Sequence, residues 1–302
     1  MQVPSQVEYE RATSVQHALS LLSRPDTRVV AGGHSLIPMM KLRLAQPEVL
    51  VDINGLAELA YIRLDGDQLR IGALARHADL LDSAVAGEHF PIFHDAERVV
   101  ADPIVRLWGT VGGSLCQADP SEDLSAAFAA TRATVVIRGQ DGDRVVPVRE
   151  FHLGPYETVI GLGELLAEVR VPVWPGTGSA YAKVARRVGD WSVAAVGAVL
   201  RLSAGRSKDA QVIEEVGLGL TAVGAEHFVA AEAEEFLRGR AADDESFAAA
   251  GAIAAEHCHP VADQRGPEDY KRHLVAELTA RALARAAARA GRAPRQPAGD
   301  GP

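Results

Sequence analysis

A chain of 302 residues, 47% hydrophobic and 24% charged, has the make-up of a soluble globular protein of about two domains, which excludes wholly disordered, collagen-like and coiled-coil classes. The formal net charge of -9 argues against nucleic acid as a partner, because sequence-independent binding needs a surplus of lysine and arginine to neutralise phosphates. Two cysteines, Cys116 and Cys258, are too few for the four thiolates that usually hold one iron-sulfur cluster, so any cluster must belong to another chain.

The first residues lack a basic start followed by an apolar run, and no apolar stretch reaches the roughly 18 residues of a membrane span, so the expected address is the cytoplasm. Ser14 is placed to cap a helix with Val15, Leu19 and Leu22 on one face, and Arg24-Pro25-Asp26 stops it. A short strand at Arg28, Val29 and Val30 runs into Ala31-Gly32-Gly33-His34-Ser35-Leu36, and 49–53 is predicted to be the next strand. Asp65-Gly66 and Asp141-Gly142 each sit between alternating apolar residues, the pattern of hairpin turns that need positive φ.

Helical stretches are predicted near 76–85 and 90–100, followed by a second glycine loop at 111–114. The Pro-Gly stretch 172–178 marks a domain boundary, beyond which 181–187, 193–202 and 212–220 form an antiparallel meander, followed by alanine-rich helices. Residues 257–259 (His-Cys-His) are a helix end, since three consecutive side chains do not easily turn toward one ion. Arg281, Arg285 and Arg289 recur every fourth residue and so share one helical face, a candidate for docking an acidic partner surface or an anionic membrane.

Two loops share one grammar, an apolar lead-in followed by Gly-Gly and a hydroxyl, at 29–35 and 111–114. One Gly-Gly alone is an ordinary turn. Two of them in separate modules suit a diphosphate held by main-chain amides, a device available to an acidic protein without a cluster of basic side chains. Neither GxGxxG nor GxxxxGK[ST] occurs, and neither does HExxH or GxSxG, so Rossmann, P-loop and hydrolase signatures are missing.

These blocks resemble the flavin subunits of the xanthine dehydrogenase and carbon monoxide dehydrogenase family: AGGHSLIPMMK at 31–41, TVGGS at 110–114, ADP at 118–120, DL at 123–124, YAK at 181–183, RVGDWS at 187–192, and RG then YKR at 265–266 and 270–272. The resemblance spans nearly the whole chain. It implies an α+β architecture: a p-cresol methylhydroxylase-type FAD-binding fold of two α/β subdomains (1–57 and 58–176), a C-terminal flavin-covering domain with an antiparallel sheet and helices (177–290), and a flexible tail (291–302). It further implies non-covalent FAD, with Ala31, Gly32, Gly33, His34, Ser35 and Leu36 on one side of the pyrophosphate and Thr110, Gly112, Gly113 and Ser114 on the other.

By the same resemblance Asp119 and Asp123 accept hydrogen bonds from ribose or ribityl hydroxyls, while Lys183 and Trp191 lie near the isoalloxazine. A lysine there would favour reduced flavin's negative charge, and an indole would stack on the ring. Ser114 stands where asparagine is frequent, Cys116 at a usually small apolar site, and Ser125 in place of a frequent proline.

The implied role is electron relay in a molybdenum hydroxylase. A large molybdopterin-binding subunit oxidises the substrate, a small [2Fe-2S] subunit passes the electrons on, and this chain hands them to a quinone or other acceptor. The implied assembly is a dimer of heterotrimers, with possible peripheral association at the inner face of the cell membrane. Residues 32–41 and 187–192 are closest to the carbon monoxide dehydrogenase branch, beside nicotine, purine and aldehyde hydroxylases. Outside that role stand a free-standing FAD oxidoreductase and a scaffold without flavin.

Overall fold

The computed structural model describes residues 3–203 and 211–290, so the tail at 291–302 lies outside the described residues. β1 (Glu8–Arg11) leads into α1 (Val15–Leu22), started by Ser14, whose hydroxyl accepts from the His17 amide at 3.1 Å. Helix α1 buries Val15, Ala18, Leu19 and Leu22 as one stripe. After β2 (Thr27–Val30), α2 (Leu36–Lys41) and β3 (Val49–Asp52), the strands form a parallel sheet in the order β1-β3-β2. The 31–35 segment therefore leaves the C-terminal end of a parallel strand, where the crossover opens a crevice.

β4 (Ile62–Asp65) and β5 (Gln68–Gly72) turn at Asp65-Gly66, with Gly66 at φ +62°. A run of helices follows: α3 (His77–Asp82), α4 (Ala84–His89), α5 (Pro91–Glu97), α6 (Pro103–Trp108), α7 (Val111–Gln117) and α8 (Asp123–Ala130). The single helical stretch expected at 76–85 is divided because Ser83 turns extended and its hydroxyl caps α4 through the Ala86 amide at 3.3 Å. β6 (Thr134–Gly139) and β7 (Gly142–Pro147) form the hairpin expected at Asp141-Gly142. Past α9 (Val148–Phe151), β8 (His152–Gly154) and β9 (Glu157–Thr158), strand β10 (Leu165–Pro172) returns to the middle of a five-stranded antiparallel sheet, β4-β5-β10-β6-β7.

The third part is the antiparallel meander β11 (Thr177–Ala185), β12 (Ser192–Leu202) and β13 (Ile213–Thr221), followed by α10 (Ala231–Leu237), α11 (Asp244–Glu256) and α12 (Glu268–Arg289). Helix α8 is buried on every side, because it lies between the core of the second part and the third sheet. Gly217 and Gly219 on β13 admit it: a Cβ at either would stand 2.0 and 1.9 Å from the carbonyl oxygens of Ala130 and Ala126.

Two of the three arginines on this face of α12 reach a carboxylate of the same chain. Arg289 donates to Asp95 at 2.6 Å and to the Ser179 carbonyl at 2.7 Å, and Arg285 lies 3.4 Å from the same carboxylate. Asp95 on α5 thus draws the last helix against the second part. Arg285 is still 48% exposed, and Arg281 is 71% exposed and paired with Glu277 of its own helix. Among the described residues no helix is long and apolar enough to cross a membrane.

Candidate functional site

Residues 31–35 and 108–110 are brought side by side. Gly32 fits so closely against the second segment that a Cβ would lie 2.3 Å from the Trp108 carbonyl oxygen and 2.8 Å from Gly109 Cα. A relay of hydrogen bonds fixes this spacing. Asn54 Nδ2 donates to the Ala31 carbonyl at 2.6 Å, Arg76 Nη2 donates to Asn54 Oδ1 at 2.8 Å, and Arg76 Nη1 donates to the Trp108 carbonyl. Asp52 braces the asparagine, accepting its backbone and side-chain N–H groups at 2.8 and 2.7 Å, and Tyr9 donates to the other carboxylate oxygen.

The first loop has the donors an anion needs. Gly33 adopts φ +72°, a left-handed turn open to glycine, and Ile37 is the residue whose amide bonds back, to the Gly33 carbonyl at 3.0 Å. Among the described residues no protein group accepts from the amides of Gly32, Gly33, His34 and Ser35, and the Ser35 hydroxyl makes no cap bond. His34 folds its ring back onto the Gly32 carbonyl at 2.9 Å, helping to hold the turn. Four free amides on a braced loop fit a phosphate oxygen cradle.

The second Gly-Gly works differently from the expected amide cradle. It is the first turn of α7, capped by the Thr110 hydroxyl, which takes the Gly113 amide at 3.1 Å. The amides of Val111, Gly112 and Ser114 go to the carbonyls of Ala75, Ala73 and Thr110, each at 2.9 Å. Gly112 is glycine because its Cβ would strike Ala73 and Leu166, the nearest atoms being 2.6 to 2.9 Å away. This loop is a wall anchored just past the end of β5, whereas Gly32 rests against Trp108 and Gly109 before it.

Asp119 and Trp191 remain accessible. Asp119 accepts from the Ser121 amide at 2.9 Å and from the Tyr156 hydroxyl at 3.1 Å. Trp191 is 44% exposed, on a turn whose Gly189 packs against Ala101, just before α6. Helix α6 exposes Ile104, Leu107 and Trp108, so the entrance next to the Gly32 contact has apolar sides.

Asp123 and Lys183 meet each other instead of facing a ligand. Lys183 Nζ donates to Asp123 Oδ2 at 2.7 Å and to the Val99 carbonyl at 3.1 Å, while the hydroxyls of Tyr181 and Ser192 fill Asp123 Oδ1 at 2.8 and 2.9 Å. Both charges are buried and satisfied within the protein, so protein donors take the Asp123 oxygens expected to accept from ribose or ribityl hydroxyls.

Beneath α7 lies a buried group that sequence patterns do not reveal. His77 Nδ1 stands 3.0 Å from both oxygens of Glu97, with both residues buried. Burial alone would push the imidazole down, but the adjacent Glu97 carboxylate holds it above its ordinary value. Glu122 is pushed up by burial despite accepting from the Ser125 amide at 2.5 Å and from the Ser114 hydroxyl at 2.8 Å. The one sequence signal is Glu97 itself, a carboxylate on the same helix as the buried Ile92, Phe93 and Ala96.

His152 supports the other end of α7, with Nε2 3.0 Å from the Leu115 carbonyl and 3.3 Å from Ser125 Oγ. Burial pushes it down to about 4, against the opposing pull of the Leu115 carbonyl. A histidine depressed in the folded state favours folding above its unfolded pKa of about 6.5, and that contribution is lost as pH falls toward 4. At about 1.4 kcal/mol per pH unit, the interval from 6.5 to about 4 amounts to about 3 kcal/mol. Urea unfolding of wild type and His152→Gln from pH 7 to pH 4.5 is expected to show the steeper loss in wild type. Parallel profiles would refute this.

Comparison with known proteins places these features in a family. Residues 5–174 match the family described as FAD binding domain in molybdopterin dehydrogenase, and 179–286 match the CO dehydrogenase flavoprotein C-terminal domain. The chain is 38% identical to the carbon monoxide dehydrogenase medium chain of Hydrogenophaga pseudoflava, over 95% of this chain and 99% of the relative. It is 36% identical to the glyceraldehyde dehydrogenase medium chain of Sulfolobus acidocaldarius, over 93% and 98%. The solved structure of the H. pseudoflava carbon monoxide dehydrogenase lacking the Mo-pyranopterin moiety superposes with a TM-score of 0.90 at 40% identity, covering 95% of this chain and 99% of that one.

Proposed function

Because this chain belongs to the FAD-binding subunits of the molybdopterin dehydrogenases, we propose that it is the flavoprotein medium subunit of an aerobic carbon monoxide dehydrogenase. In this reading a large molybdenum subunit converts CO and water to CO2, a small [2Fe-2S] subunit carries the electrons here, and a quinone or similar acceptor receives them. The observation that carries the reading is the pairing of an amide-rich loop at 32–35 with Trp108 and Gly109 at the end of α6, held by the Asn54–Arg76 relay.

FAD bound in this cleft supplies a store that accepts electrons in pairs and releases them singly or in pairs. The amides of Gly32, Gly33, His34 and Ser35 hold the pyrophosphate, with Ala31 and Leu36 bounding the turn and Thr110, Gly112, Gly113 and Ser114 forming the opposite wall. Asp119 has lone pairs left for a sugar hydroxyl. Trp191 supplies an aromatic face at the mouth, and the apolar side of α6 keeps water from the ring. Asp123 and Lys183 act from behind, tying the third part to the FAD-binding part.

The native complex tests this directly. It is expected to contain one FAD per copy of this chain and to reduce a quinone analogue with CO faster than with glyceraldehyde, nicotine or purines. Flavin-free chain in an intact complex would overturn the flavoprotein assignment, and CO-independent reduction driven by one of the other donors would overturn the branch.

A further inference from the structure

One face of the five-stranded sheet carries an arrangement that the cleft does not explain. Arg63 on β4 lies directly opposite Arg70 on β5, and Arg70 lies directly opposite Arg170 on β10. Like charges facing one another on neighbouring strands repel, and an ordinary sheet surface alternates their signs. Together with Arg138 on β6, these residues surround a cavity of about 180 Å³, none of whose lining residues belongs to the 31–36 or 108–114 segments.

Three of the four guanidinium groups have a carboxylate neighbour and the fourth, Arg63, stands apart. Glu168 is committed, receiving Arg170 Nε at 2.5 Å and the Tyr61 hydroxyl at 2.5 Å. Arg138 is bound by both oxygens of Asp143, at 2.9 and 3.0 Å, at the hairpin end of its strand. Asp65 reaches within 3.2 Å of Arg70 Nε, yet that buried N–H makes no hydrogen bond. Among the described residues Arg63 has no carboxylate partner and lies over the Tyr61 ring at 4.8 Å from its centroid. The lining brings together four guanidinium groups with Glu58 and Glu168, and Asp65 and Asp143 outside it pair with Arg70 and Arg138, so among the described residues Arg63 is the guanidinium left without a carboxylate.

We propose that this cavity binds a phosphoryl group, either free phosphate or that of a small soluble phosphate monoester. Guanidinium edges match a tetrahedral oxyanion through paired N–H donors, and a dianion between Arg63, Arg70 and Arg170 turns their mutual repulsion into attraction. Size sets the class. A space of about 180 Å³ holds several water volumes but falls below the roughly 300 Å³ at which pockets take nucleotide-sized ligands. The Tyr61 ring beneath Arg63 keeps its fork aimed across the strands.

The test is calorimetric titration of the FAD-loaded full chain with inorganic phosphate and with glycerol 2-phosphate, against chloride at matched ionic strength. Wild type is expected to bind at least one of the two phosphates and to melt at a higher temperature in it than in chloride. Arg63→Gln, a change at an exposed position, is expected to weaken that binding at least about tenfold. The same variant should keep its flavin and melt in chloride no lower than wild type, because one of three aligned charges has gone. Wild type that does not distinguish phosphate from chloride would overturn the proposal. So would undiminished binding by Arg63→Gln, or binding that tracks flavin content across preparations instead of Arg63.

Discussion

Gly32→Ala is expected to yield a folded chain that retains little FAD. The added Cβ would stand 2.3 Å from the Trp108 carbonyl oxygen and 2.8 Å from Gly109 Cα, and both are backbone atoms that cannot swing aside. Relief requires the 31–35 turn to move away from Trp108 and Gly109, and that movement stretches the Asn54 bond to the Ala31 carbonyl and the Arg76 bonds beyond it. Overpacking of this kind costs about 1–3 kcal/mol. Charged to cofactor binding, it weakens FAD by about tenfold to a hundredfold.

The same change at Gly87 is the control, because a Cβ there meets nothing within 4 Å and alanine improves the helix. Flavin absorbance per chain after gel filtration, with circular dichroism to verify folding, reads both variants. Full flavin in Gly32→Ala would show that the loop contact does not set the cradle. Arg76→Lys should act in the same direction but less strongly, since an ammonium cannot serve Asn54 and Trp108 with two prongs.

What the sequence discloses and what it conceals follows from the range of each interaction. The Asp65-Gly66 and Asp141-Gly142 turns are legible because positive φ is a property of one or two residues, and the structure places Gly66 at φ +62° and Gly142 at φ +127°. The meander of β11, β12 and β13 is legible as three apolar runs separated by polar and glycine-containing breaks. The loop at 31–35 shows its purpose in its own residues. The repeat at 111–114 misleads, because identical Gly-Gly lettering serves helix packing there: the deciding contacts, Ala73 and Ala75, lie far off in sequence, just past the end of β5.

Charged pairs distant in sequence leave still less trace. His77 and Glu97 come from separate helices, and a periodic arginine face on α12 says which side is charged but not that Asp95 of α5 awaits it. The Asn54–Arg76 relay spans three segments, each unremarkable alone. Resemblance to a family supplies the cofactor and the architecture, whereas the division of labour between a gripping loop and a supporting wall comes only from the hydrogen bonds.

Asp123 and Lys183 give the second large effect, on stability. Asp123 is on α8, Lys183 and Tyr181 are on β11 and Ser192 is on β12, so one carboxylate joins the FAD-binding part to the third sheet. Removing one member of a buried pair strands the other charge, at a cost of about 3–5 kcal/mol. Lys183→Met is expected to lose that much in urea unfolding, because Asp123 keeps only two hydroxyl donors. Combining it with Asp123→Asn removes the stranded charge while Tyr181 and Ser192 still have an acceptor, so the double variant should be more stable than Lys183→Met alone. The resulting coupling is expected at about 1–3 kcal/mol, in the range for contacting groups. Additive losses would mean that the two side chains stabilise the protein independently, and the brace between the two parts would then have to lie elsewhere, in Arg289 and Asp95 or in Arg149 and Glu234.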